Sequence, residues 1–163
     1  MKRAGWMRAT IVAIVGVALT GAVSAAGGDK VPYWASISAR EAMMRTGPGP
    51  NYPAVWKYTR PGLPVKVTAR HEHWRRVVEQ DGTEGWMNGV LLSDDRTGVV
   101  IADPGLMRDA PDASARILWR AARGVIGKIS HCASGWCQFE VTGRTGYIEI
   151  AQLWGVDSGE TVN

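Results

Sequence analysis

The sequence predicts an all-β fold in which one small unit is used twice. Three observations carry that expectation: an ordered series of internal matches at nearly constant spacing, short alternating runs bounded by glycine-rich turns, and no segment that keeps a helical period for long. Met44-Arg45 recurs as Met107-Arg108, Pro48 as Pro111 and Trp56 as Trp119, each 63 positions on. Val67 and Trp74 recur as Ile129 and Trp136 at 62, and Gly85-Trp86 and Leu92 as Gly146-Tyr147 and Leu153 at 61. The offset falls by one twice and the order never changes, as two single-residue loop deletions would leave it. Copies this short have marginal cores, so the two are expected to support each other by packing.

Each element follows from its own pattern. In the first copy, residues 63–69 alternate apolar and polar side chains, His71-Glu72-His73 form a hairpin tip, and residues 74–79 return. Gln80-Asp81-Gly82-Thr83 is a turn, because Asp-Gly between apolar runs is a strong hairpin signal, and Glu84-Gly85-Trp86-Met87 begins the next run. The second copy repeats this with Gly127-Lys128-Ile129-Ser130, then residues 136–141, a turn at Thr142-Gly143-Arg144-Thr145, and residues 146–150. Many short strands with glycine-rich turns imply a barrel or sandwich. Residues 113–122 are the best helix candidate, tightly bounded by Pro111 and Gly124.

The ends of the chain read differently. Lys2, Arg3 and Arg8 precede an uncharged apolar run at 9–23, and Ser24-Ala25-Ala26 supply small residues for cleavage. This is the layout of a secretory signal peptide over 1–25. The alternative is an uncleaved anchor, for which the run is short against the ~20 residues of a span and carries Gly16 and Gly21. No cysteine follows the run, which excludes a lipoprotein-type anchor and leaves no stable membrane attachment after cleavage. The remaining chain divides into a linker at 26–32, the copies at 33–97 and 98–155, and a polar tail at 156–163 expected to fray. The full chain carries 19 Lys plus Arg against 15 Asp plus Glu, and losing the three n-region cations leaves 16 against 15. Near-neutrality removes any electrostatic case for nucleic acid. The expected location is periplasmic or secreted, in a bacterial cell envelope.

Export places Cys132 and Cys137 in an oxidising compartment, where an even pair is most simply a disulfide. If residues 133–136 make a hairpin tip, the two cysteines face each other across its base. A redox pair would want a C-x-x-C spacing at a helix N-terminus, and neither is present; unpaired thiols are the third reading. His71, Glu72 and His73 offer two imidazoles with no third metal partner in view, and His131 beside Cys132 suggests a Cys–His nucleophile only if Cys132 is free. No G-x-S-x-G, H-E-x-x-H or P-loop pattern occurs. The expectation is a non-enzyme with no catalytic residue, metal or cofactor.

Met44-Arg45-Thr46-Gly47-Pro48-Gly49, then Tyr52-Pro53 and Trp56, resembles the opening of a bacterial SH3-like (SH3b) repeat, and Gly85-Trp86-Met87 resembles its final element. The second copy keeps Gly135-Trp136-Cys137 and Gly146-Tyr147-Ile148, while Arg108-Asp109-Ala110-Pro111-Asp112 replaces the Gly-Pro-Gly loop. His73 stands where the family has glycine. The resemblance implies two tandem small SH3-like β-barrels of about five strands each. It also implies a binding role towards cell-wall peptidoglycan or its stem peptides. A periplasmic adaptor binding a partner protein's peptide is the alternative, and a wall hydrolase or redox protein a minor one.

The expected ligand-binding residues are Arg45, Tyr52, Trp56, Trp74 and Trp86. Aromatic faces suit proline-rich or sugar-peptide ligands, and Arg45 and Arg75 suit a ligand carboxylate. The competing role for Trp56 and Trp86 is core packing. The run RTGPGPNYP, residues 45–53, is too short and mis-phased for collagen and lies inside the first copy rather than between copies, so it reads as a stiff loop presenting Tyr52. Because the second copy lacks this loop, the first is expected to be the binding copy.

Overall fold

The computed structural model describes residues 30–163. The signal segment and linker residues 26–29 lie outside the described residues. The first copy contains β1 (Tyr33–Ile37), β2 (Ala42–Arg45), β3 (Ala54–Tyr58), β4 (Pro64–His71), β5 (Trp74–Val78), β6 (Glu84–Asn88), a one-turn 3-10 helix (Gly89–Leu91) and β7 (Leu92–Ser93). The second contains β8 (Thr97–Val100), β9 (Gly105–Arg108), β10 (Ile117–Ala121), β11 (Ile126–Ala133), β12 (Trp136–Val141), β13 (Arg144–Glu149), a one-turn 3-10 helix (Ile150–Gln152) and β14 (Leu153–Trp154). Each copy forms one antiparallel seven-stranded sheet, ordered β3-β2-β6-β5-β4-β1-β7 and β10-β9-β13-β12-β11-β8-β14. The two orders correspond strand for strand, so the repeat read from spacing is a repeat of topology.

The protein is all-β and its two units are SH3-like. Seven strands replace the five or so expected per copy, because β1 and β7, with their counterparts β8 and β14, close the sheet beyond the central hairpins. Residues 113–122 are not helical. Ile117 and Trp119 are half-buried while Leu118 and Arg120 are exposed, a period of two that makes an edge strand. Register shifts fall at the same place in both long hairpins, between Val67 and Ala69 and between Ile129 and His131. Such bulges bend the strand pair and let the sheet curl. Ser134 (φ 52°) and Gly135 (φ 85°) close the second hairpin with the two positive φ values that a tight primed turn demands.

Both cores lie inside the curl. Ile37, Met44, Val65, Val67, Val77 and Met87 fill the first; Val100, Met107, Ile129, Phe139 and Ile148 fill the second. The copies solve one packing problem differently. Where the first copy has Val65 and Val77, both buried, the second has Gly127 and Phe139. A Cβ on Gly127 would sit 2.6 Å from the Phe139 ring and 2.5 Å from the Glu140 carbonyl oxygen. Volume moves from one strand to the next while close packing is kept. Cys132 and Cys137 face each other across β11 and β12 at a Cα separation of 4.1 Å and are joined, fully buried, as a disulfide.

The copies pack together as expected. Trp34 on β1 and Trp154 on β14 meet edge to face at 4.9 Å. Lys66 lies 5.2 Å from the Trp34 ring centroid and pairs with Asp157 at 2.5 Å. Gly155 (φ 119°) sits where a Cβ would lie 2.4 Å from the Thr97 carbonyl oxygen. The expectation of a frayed tail is overturned. Val156 and Val162 are buried, Val162 pairs in both directions with the Cys132 backbone (2.9 and 3.1 Å), and Glu160 takes Arg96 through both carboxylate oxygens (2.6 and 3.2 Å). Polar composition misled because two valines and one acid–arginine pair suffice to dock eight residues.

Candidate ligand-binding grooves

The loop at 45–53 is ordered by its own residues. The Tyr52 ring lies across the loop backbone, so a Cβ on Gly47 would sit 2.3 Å from that ring and one on Gly49 at 3.2 Å. Glycine is needed here for close approach, while the prolines restrict φ. Arg45 donates from Nη1 to the Tyr52 carbonyl at 2.8 Å. Its counterpart Arg108 does the same, donating to the Ala115 carbonyl at 2.6 Å. Ala115 lies 63 positions beyond Tyr52, so one arginine braces the equivalent loop in each copy even though the loop sequences differ. The guanidinium expected to meet a ligand is thus engaged with its own chain. Arg75 behaves alike, donating to the Glu72 and Trp74 carbonyls at 3.0 and 3.1 Å.

A groove of about 350 Å³ opens beside this loop, lined by Glu41, Met43, Arg45, Pro50, Trp74 and Asn88 with Leu91 at its end. Of the five expected residues, Arg45 and Trp74 line it. Tyr52 (48% exposed) and Trp56 (60%) lie on open surface, and Trp86 is half-buried with His71 edge-on to its ring at 6.4 Å. Trp56 is therefore not a core residue. Its counterpart Trp119 is covered by the Arg144 guanidinium at 4.9 Å, where the first copy has Thr83.

The second copy carries a groove at the matching place, larger at about 730 Å³. Ala113, Trp136 and Glu149 stand where the first copy has Pro50, Trp74 and Asn88. The docked tail adds Val156, Ser158 and Gly159 as a wall with no counterpart in the first copy. The second copy, which lacks the Gly-Pro loop, thus keeps a groove at this place. Trp136, Glu149 and Asp112 were missed as site residues. The signal was present, since Trp136 was already aligned with Trp74, and carrying a site across the repeat would have found it. Ser114, through its hydroxyl and then its amide, holds the Asp112 carboxyl below the usual carboxylate range.

Among the described residues, no three His, Cys, Asp or Glu side chains gather as a metal site. Cys132 and Cys137 are bonded to each other, which takes away the thiol that a Cys–His nucleophile would need.

Fold and grooves together define a duplicated all-β module with a groove in each copy. Residues 38–94 and 102–155 match the family described as bacterial SH3 domain, and the chain belongs to that family. Its domains are generally non-catalytic and typically bind cell walls. No match was found among curated proteins. Among solved structures, NlpC2 and NlpC1 from Trichomonas vaginalis share 12% identity with it at TM-scores of 0.35 and 0.36. The matches cover 76% and 80% of this chain and 48% of either of those, so the chain spans about half their length.

Proposed function

We propose that this protein is an exported, non-catalytic module that binds peptidoglycan stem peptides in the periplasm or at the cell surface. The observation that carries it is the duplicated groove: each copy sets a tryptophan beside a polar residue on the neighbouring strand, Trp74 against Asn88 and Trp136 against Glu149. An aromatic face with an adjacent hydrogen-bonding group suits a peptide with sparse side chains. The signal-type segment and the disulfide support an oxidising compartment. Co-sedimentation with purified sacculi tests the reading. Retention that weakens in Trp74→Ala and further in Trp74→Ala/Trp136→Ala is expected, and complete recovery of the unaltered protein in the supernatant would refute it.

A second reading, an adaptor for an envelope protein, rests on β3. This strand ends the sheet and exposes Val55 (44%) and Trp56 (60%), and a free edge with apolar side chains can accept a partner's strand. Pull-down from an envelope extract that is lost in Trp56→Glu, with sacculus binding unchanged, would favour it.

A further inference from the structure

The two grooves differ in charge. In the first, Glu41 is paired with Lys57 at 2.9 Å and Arg45 with the Tyr52 carbonyl, so its charges are engaged. The second is lined by two carboxylates, Asp112 and Glu149, and by no cation. Arg108, which acts on Asp112 through its charge, does not line the groove and donates to the Ala115 carbonyl.

Glu149 occupies an unusual place for its type. Asn88 caps the first 3-10 turn, its Oδ1 accepting from the Val90 amide at 3.1 Å. Glu149 stands at the same N-cap and makes no side-chain capping bond. A residue that caps well has been replaced by one that does not, and its carboxylate lies at the groove beside Trp136, its cross-strand neighbour. Local rules are broken in this way mainly where a site gains from it.

We propose that the second groove binds the free side-chain ammonium of a diamino acid in a wall stem peptide. The Trp136 face and the Glu149 carboxylate receive the cation, and Leu153, Val156 and Pro111 cover its methylene stem. Asp112, kept ionised by Ser114, adds a second negative charge. This inference rests on the proposed function and makes the copies unequal: the second reads an amine and the first does not.

The test is isothermal titration of the oxidised protein with a synthetic stem tripeptide ending in lysine, and with the same peptide acetylated on its side-chain amine. The free amine should bind about ten-fold more tightly. In Glu149→Gln the two peptides should bind within about two-fold of each other. Glu149 makes no structural bond, so this variant should fold; unchanged far-ultraviolet circular dichroism checks that. Ser158→Trp, which fills the groove from the exposed tail, should abolish the preference independently. Equal binding of the two peptides by the unaltered protein overturns the inference. So does equal binding of an unrelated lysine-containing peptide, which would assign the groove to a protein ligand. If sacculi retain the protein while the peptides bind alike, the inference falls alone; if sacculi do not retain it, the proposed function falls with it.

Discussion

Whether the copies form one cooperative body turns on the seam between Trp34 and Trp154. Trp154→Ala removes one ring of the edge-to-face pair and uncovers Trp34, which is only 7% exposed. A tryptophan truncated inside a full core costs about 3–5 kcal/mol. Trp154 is half-buried, and a crevice of about 210 Å³ already runs beside it, so part of its surface is unpacked in the native state. The expected loss is accordingly about 2 kcal/mol, of which ring pairing supplies about 0.5–1.5. Urea unfolding followed by far-ultraviolet circular dichroism reads this. The unaltered protein should melt in one transition, and Trp154→Ala should melt earlier and more broadly as the copies uncouple. Trp56→Ala is the control, since a residue 60% exposed should change stability by less than about 0.5 kcal/mol. If the two variants melt alike, the seam does not couple the copies and the reasoning fails.

Other substitutions probe other parts. Gly127→Ala forces a Cβ into the Phe139 ring and the Glu140 carbonyl, and should cost the second copy about 3 kcal/mol by overpacking, measured by thermal melting. Arg108→Ala should loosen residues 109–116, seen as faster amide exchange there, with a larger effect than Arg45→Ala on residues 46–53 because the Arg108 bond is the more buried. Glu79 sits by the crevice between the copies, where burial first and Asp81 second raise its carboxyl above the ordinary 4.5. A raised folded-state value means that the protonated acid suits the fold. Its contribution is therefore present below 4.5 and lost as pH rises through the raised value. Glu79→Gln should gain stability on the unaltered protein towards neutral pH and lose that advantage in acid; parallel profiles of unfolding midpoint against pH would refute this.

Much of the fold was legible because strands leave short-range marks. Alternation marks β4, β5, β11 and β12, Asp81-Gly82 marks a hairpin, and the 63-62-61 offsets match equivalent strands. The cysteine pairing was legible for the same reason: a four-residue gap inside a hairpin leaves little geometric choice. Residues 113–122 were harder, because ten residues rich in alanine and arginine suit a helix locally, while pairing with β9 through the Met107–Trp119 register decides for a strand. Arg45 looked available for a ligand, and only the folded loop shows that the Tyr52 carbonyl holds it.

The sequence by itself determined the class, the duplication and the disulfide, since each depends on spacing along the chain. Tertiary structure decided which tryptophans serve which purpose. Trp34 and Trp154 are 120 residues apart and meet at the seam; Trp56 is open where Trp119 is covered; Trp74 and Trp136 line grooves. It also decided that the polar tail, docked by Val162 and Glu160, walls the larger groove. An indole ring favours burial, seam or surface according to its neighbours in space, and those neighbours are chosen by sheet closure rather than by sequence distance.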